Sequence, residues 1–297
     1  MFELRRLRML HELALRGTIA EVAANLSYSP STVSQQLAIL EREAGVPLLE
    51  PDGRRVRLTA HGRQLAAHAA RALELDEAAR AALSVHGGLE PVRMAAMPTA
   101  AQTIVPAALT LLAERMPALR VEVAELAPED GLFELAARRF DLVIAEQYPG
   151  HTRERREGVE HELLGEDPIR LVLPPAEEPQ PLAALRDRAW VMEPPGTAAR
   201  QWAVQQCRAA GFEPDVRFEA TDLTAHVRLV AAGHAVGMLP DLIWGDRRPE
   251  VTLAPLPGEP VREVFTAVRT VAREAGGIRA VRSALAEALA SHRDPAG

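Results

Sequence analysis

The residues able to do chemistry in this chain fall into two groups, and the chemistry of both is recognition. The first is a run of short polar side chains and an amide, Ser29, Thr32, Ser34 and Gln35, followed by the arginines Arg54, Arg55 and Arg57. Hydroxyls bond bases or phosphates, glutamine pairs bidentately with adenine, and guanidinium forks grip phosphate or the minor groove. The second group is Thr99, Ala100 and Gln102, then Glu146, then Gly196 and Thr197. Hydroxyls and amides at helix starts hold carboxylates and similar anions. A carboxylate at Glu146 favours a cationic or hydroxyl-bearing part of a ligand. The plainer readings are that Thr99 and Thr197 only cap helices and that Glu146 is a solvated loop acid.

The first group needs a scaffold, and the flanking sequence supplies one. Thr18 is suited to N-cap a helix carrying Ile19, Val22, Ala23 and Leu26 at helical spacing. Ala23 and Ala24 allow a second helix to approach closely. Ser29 caps that second helix, with Pro30 at its first position, where a missing N–H costs nothing. Val33, Leu37 and Leu40 form its buried face, which leaves the polar residues at its exposed start. In a helix-turn-helix the start of the second helix meets base edges in the major groove. After Gly45 the segment 48–59 reads as a two-stranded wing turning at Asp52-Gly53. In this arrangement Thr18, Ser29, Pro30, Thr32, Ser34, Gln35, Arg54 and Arg55 face DNA.

Charge supports the division. The 297-residue chain has a net charge of −7 and contains no lysine. Residues 1–62 hold eight arginines and seven acids, whereas residues 90–297 hold 23 arginines and 31 acids. The acidic load therefore lies away from the proposed DNA face. The length suggests a small domain plus a larger one, or three small lobes. No apolar run of membrane-spanning length occurs, and no apolar segment follows Arg5, Arg6 and Arg8 as in a signal peptide, so a cytoplasmic location is expected. Cys207 is the only cysteine, which excludes a two-cysteine switch and reads as a buried thiol. The histidines form no metal-ligand cluster. Esterase, Walker, dinucleotide and zinc signatures are missing, so no catalytic residue, metal or cofactor is expected.

Residues 63–87 read as one long helix, with Leu65, Ala72 and Ala79 at heptad spacing and His86-Gly87-Gly88 as a hinge. From Pro91 onward strands alternate with helices, the pattern of α/β units. Expected helices cover 101–115, 132–138, 198–210, 223–232 and 278–291. Expected strands include 92–97, 141–145, 163–173, 235–239 and 261–271.

These motifs resemble the LysR-type transcriptional regulators. The resemblance rests on Gly17-Thr18, Ala23-Ala24, Ser29 to Leu37, Leu40 to Leu48, and Leu58-Thr59-Ala60-His61-Gly62. Looser signatures are Met97-Pro98-Thr99, Phe140-Asp141-Leu142, Pro195-Gly196-Thr197 and Ala232 to Pro240. The resemblance implies an N-terminal winged helix-turn-helix (1–62), a linker and dimerisation helix with hinge (63–89), and a two-lobed α/β effector domain (90–297). That domain would resemble type 2 periplasmic binding proteins, with lobe one at 91–164 plus 265–292 and lobe two at 165–264. The implied partners are double-stranded operator DNA, a small-molecule effector between the lobes, a homodimer or homotetramer, and RNA polymerase. Thr99 and Gly196-Thr197 correspond to effector-contacting positions, and an amino acid or related small metabolite would suit them together with Glu146. The chain departs from the family pattern at Pro51, Glu21 and Gln35. Gln35 stands where arginine is frequent, and the two side chains prefer different bases.

Overall fold

The computed structural model describes residues 1–53, 55–84, 90–152, 156–245 and 247–293. Arg54 and the expected hinge at His86-Gly87-Gly88 lie outside them. The chain divides into two compact units. One is Met1–Gly88 with Ala136–Arg139 and Thr270–Gly276; the other is Leu89–Leu135 with Phe140–Arg269 and Gly277–Gly297.

The first unit begins with three helices, α1 (Leu4–Arg16), α2 (Ile19–Leu26) and α3 (Pro30–Ala44). Each stop has a local cause. Gly17 and Gly45 take left-handed backbone at φ 79° and 69° and close α1 and α3. The Thr18 and Ser29 hydroxyls accept from the Glu21 and Thr32 amides and open α2 and α3. Val22, Ala23, Val33, Leu37 and Leu40 meet Met9, Leu10 and Leu13 of α1 in one apolar core. Strands β1 (Leu49–Asp52) and β2 (Arg55–Leu58) pair antiparallel as the expected wing.

The next helix, α4 (Ala60–Ser84), starts three residues before the expected point. Thr59 sets that start, since its hydroxyl accepts from the Gly62 amide at 3.0 Å. The stripe Ala66, Ala69 and Leu73 is buried, whereas Leu75 and Leu83 are 73% and 75% exposed. The helix thus commits one face to its own unit and leaves large apolar side chains on another.

The second unit carries β3 (Val92–Ala96), α5 (Pro98–Gln102), α6 (Ile104–Arg115), β4 (Val121–Glu125), α7 (Pro128–Ala136), β5 (Leu142–Gln147) and β6 (Val159–Leu173). After these come β7 (Ala189–Met192), α8 (Ala198–Ala209), β8 (Asp215–Glu219), α9 (Leu223–Ala231), β9 (Gly237–Pro240), β10 (Thr252–Pro255), β11 (Val261–Arg269) and α10 (Gly276–Arg293). Strands β4, β3 and β5 run parallel, and β11 lies antiparallel to β5. The fifteen-residue β6 passes from lobe to lobe. Its residues from Val159 to Pro168 pair with β11, and those beyond with β9 and β10. The second lobe adds the parallel pair β7–β8, with Val236 bridging Trp190.

Several expected boundaries shift for physical reasons. The helix expected over 101–115 is broken at Thr103, whose hydroxyl donates to the Thr99 carbonyl at 2.7 Å and bends the chain between α5 and α6. The helix expected over 132–138 instead runs Pro128–Ala136. Proline opens it, Glu129 and Asp130 suit its first turn, and left-handed Arg138 follows its end. β10, which the sequence did not suggest, is a short edge strand pairing only with β6 among the described residues, so Pro255 is tolerated there.

Candidate functional site

The start of α3 is presented as a polar edge. Ser29, Pro30, Ser31, Ser34 and Gln35 are exposed, and Thr32 is half-buried. The Ser29 hydroxyl lies 2.8 Å from those of Ser31 and Thr32 and accepts from the Thr32 amide at 3.1 Å, which fixes this edge before any ligand arrives. Gln36 is held back by Arg6, whose Nε donates to it at 3.1 Å. Arg6 also bonds Glu43 at 2.6 Å and so ties α1 to the middle and the C-terminal end of α3. Thr18 is half-buried, and its hydroxyl donates to the Glu21 carboxylate at 2.9 Å, so Glu21 completes a capping pair.

Two side chains fasten the wing, one from this helix and one across the wing's own base. The Glu41 carboxylate accepts from the Leu48 and Leu49 amides at 2.7 and 3.0 Å. The Thr59 hydroxyl donates to the Pro47 carbonyl at 2.7 Å. Arg55 and Arg57 are exposed on the wing, with Arg57 3.1 Å from Glu50. A carboxylate buried within the helices completes the frame. Glu12 accepts from Arg16 at 2.6 Å and from Asn25 at 3.0 Å, joining α1 to α2.

The second group of residues is dispersed differently from expectation. Thr99 is not a helix cap, because Met97 occupies that position. The Thr99 hydroxyl instead accepts from Arg262 at 2.8 Å. Ala100 is wholly buried in the core and Gln102 is exposed. Glu146 is no solvated loop acid. It sits within β5, with a side chain 12% exposed, 3.8 Å from Arg262. Gly196 takes φ 99°, and Thr197 caps α8 by accepting from the Arg200 amide at 3.2 Å.

Four further residues define the cleft. Arg262 on β11 bonds Asp167 of β6 through Nε at 2.9 Å and through Nη2 at 2.8 Å, with both side chains buried. Asp167 also accepts from the Leu242 amide at 2.9 Å. Burial opposes the charge on Arg262, but Asp167, then Tyr148 and Glu146, hold it above the ordinary arginine range. Tyr148 is buried beside Trp202, with ring centroids 5.6 Å apart, and burial pushes its hydroxyl up. Glu193, at the end of β7, is pushed up to about 7 by burial and then by Glu146, while Arg262 and Thr197 work the other way. A pocket of about 20 Å³ against Tyr148, Glu193, Arg200, Trp202 and Met238 admits about one water. Only Glu193 carried a sequence signal, standing just before Pro195-Gly196-Thr197. Arg262 and Asp167 are 95 residues apart, and nothing local marks them as partners.

Two further side chains, Cys207 and His226, are governed by burial. Cys207 is buried, and burial pushes its thiol up to about 12. His226 is buried with its ring 2.8 Å from the Ala220 carbonyl, and burial lowers its pKa; His234 is exposed.

Comparison with known proteins decides the family. Residues 4–63 match "Bacterial regulatory helix-turn-helix protein, lysR family", and residues 87–290 match "LysR substrate binding domain". The chain belongs to the LysR family. It is 27% identical to the transcriptional dual regulator GltC of Bacillus subtilis, over 84% of this chain and 85% of that protein. It is 30% identical to a probable hydrogen peroxide-inducible genes activator of Mycobacterium avium, over 79% of this chain and 76% of that protein. A full-length OxyR variant from Pseudomonas aeruginosa shares the fold, with a TM-score of 0.70 at 21% identity over 96% and 95% of the two chains. This LysR-family protein is therefore a DNA-binding transcriptional regulator with a two-lobed effector-binding domain, and not an enzyme. Among the described residues no helix is long and apolar enough to cross a membrane.

Proposed function

We propose that α3 reads operator DNA through Ser29, Pro30, Thr32, Ser34 and Gln35, with Thr18 and Arg55 at its flanks. One observation carries the reading: the start of α3 is exposed, capped and polar while Val33, Leu37 and Leu40 anchor its other face. The regulator acts in the cytoplasm as a homodimer or homotetramer, because paired helix-turn-helix units reach two half-sites about one helical turn apart. Exposed Leu75 and Leu83 on α4 suit such pairing. Its effector is a small metabolite, an amino acid or a relative of one, bound between the lobes beside Glu146, Glu193 and Thr197, with no resident cofactor.

A peroxide-sensing thiol is a poor fit, despite the peroxide-inducible relative. Cys207 is the single cysteine, and its raised pKa leaves little of the thiolate that peroxide attacks.

The test is fluorescence anisotropy of the full-length protein on candidate operator duplexes. Ser34→Ala is expected to weaken operator binding at least about tenfold while leaving binding to random duplex unchanged. Equal weakening on both would show that α3 does not read sequence.

A further inference from the structure

The cleft also declares the chemistry of what it holds, provided that it is the effector site proposed above. The charged and polar groups facing Glu193 are Glu146 from β5, Arg262 from β11, Thr197 from α8 and Glu129 from α7. Those facing Tyr148 are Arg262, Glu146, Glu193 and Asp167. Four carboxylates thus act on this space beside one guanidinium, and that guanidinium already bonds Asp167 and Thr99. The neighbouring Arg200 is engaged as well, donating to the Glu193 carbonyl at 3.0 Å and lying 3.4 Å from Glu219. An incoming anion would meet like charge.

Tyr148 supplies an independent observation. It is 5% exposed and its ring is fixed against Trp202. Its hydroxyl nevertheless has no hydrogen-bond partner among the described residues, and the side chain lines the small pocket beside Glu193. The hydroxyl is reached by solvent and not sealed in the core, so a ligand group can take the place of water there.

We propose that the cleft holds a protonated nitrogen of the effector, an ammonium or a guanidinium, between the carboxylates of Glu146 and Glu193. The Tyr148 oxygen accepts a further N–H and directs its own proton toward a carboxylate. The ligand's nitrogen donates and the protein accepts throughout. The raised Glu193 carboxyl gives this arrangement a proton signature. A cation allows Glu193 to ionise beside Glu146, so binding releases a proton and tightens as pH rises through about 7. An anionic effector would do the opposite, favouring the protonated acid and taking up a proton.

The experiment uses full-length protein, with ethylammonium and agmatine as cationic probes and acetate and succinate as anionic ones. Binding is read from tryptophan fluorescence, since Trp202 packs on Tyr148, and from calorimetry in buffers of different ionisation enthalpy. The cationic probes are expected to bind about tenfold more tightly at about pH 8 than at about pH 6, with proton release. Glu193→Gln should weaken them at least about tenfold and flatten the pH dependence, and Tyr148→Phe should weaken them less. Cooperative thermal unfolding of each variant certifies folding. If the anions bind instead, with proton uptake that Glu193→Gln removes, the cation proposal falls while the cleft remains the effector site. If no probe of either charge responds to Glu146→Gln, Glu193→Gln or Tyr148→Phe, the reading of the cleft as the effector site falls too.

Discussion

The Nη2 of Arg262 donates both to the Thr99 hydroxyl at 2.8 Å and to the Asp167 carboxylate at 2.8 Å. One buried side chain on β11 thereby ties α5 to β6 just where β6 changes partners from β11 to β9 and β10. Asp167 extends the tie to the Leu242 amide. The threonine that the sequence marks as an anion holder is therefore part of the frame of the cleft.

Removing one partner of a buried ion pair leaves the other charged in a dry site and costs about 3–5 kcal/mol. Asp167→Asn and Arg262→Met should each lower the stability of the α/β unit by that order in urea unfolding. The double substitution Arg262→Met with Asp167→Leu should recover much of the loss. Single variants as stable as the parent would show that the pair does not brace the lobes.

Gly62 stands where a Cβ would lie 2.1 Å from the Leu48 carbonyl oxygen, a backbone atom that the wing cannot move cheaply. Gly62→Ala should cost at least about 1–3 kcal/mol through overpacking and lower operator affinity by displacing the wing from α4. Thermal unfolding and anisotropy on one sample check both effects. A parent-like melting temperature would contradict this account of the close approach.

Glu193 gives the protein a pH-dependent stability of unusual sign for an acid. Its folded value of about 7 lies above the ordinary 4.5, so its contribution is full below about pH 4.5 and is lost as pH rises through 7. Glu193→Gln should flatten the stability profile between those values in denaturant titrations. A variant profile parallel to the parent's would place the titration elsewhere.

Cys207 should be inert in the native protein. With its thiol held near 12 and its side chain buried, a thiol reagent at about pH 8 should label one equivalent only after denaturation. Millimolar peroxide should leave operator affinity unchanged. Rapid native labelling, or a peroxide-dependent change in affinity, would return a thiol switch to consideration.

The sequence conveyed the first unit better than the second, for reasons visible in particular residues. Thr18, Ser29, Pro30 and Gly45 act on backbone within four residues of themselves, so their types alone reveal caps and stops. The closing Leu58 to Gly62 motif acquires its reason only in space, where Thr59 reaches Pro47 and Gly62 meets Leu48. In the α/β unit the alternation of strands and helices was readable because burial imposes it. The break at Thr103 was not, since it rests on one hydroxyl bonding back to Thr99. Least readable was the cleft. Thr99, Tyr148, Asp167 and Arg262 stand far apart in sequence, and Arg262 looks like one outward residue of an ordinary strand.

The most direct test of the account is genomic footprinting of the full-length protein at low and at physiological salt, with Gln35→Ala in parallel. The account predicts a few protected inverted repeats that persist at physiological salt and are lost with Gln35→Ala, as expected where one side chain carries about 1–3 kcal/mol of base discrimination. Diffuse protection that vanishes at physiological salt, with or without candidate effectors, would mean phosphate attraction alone and would contradict sequence reading by α3.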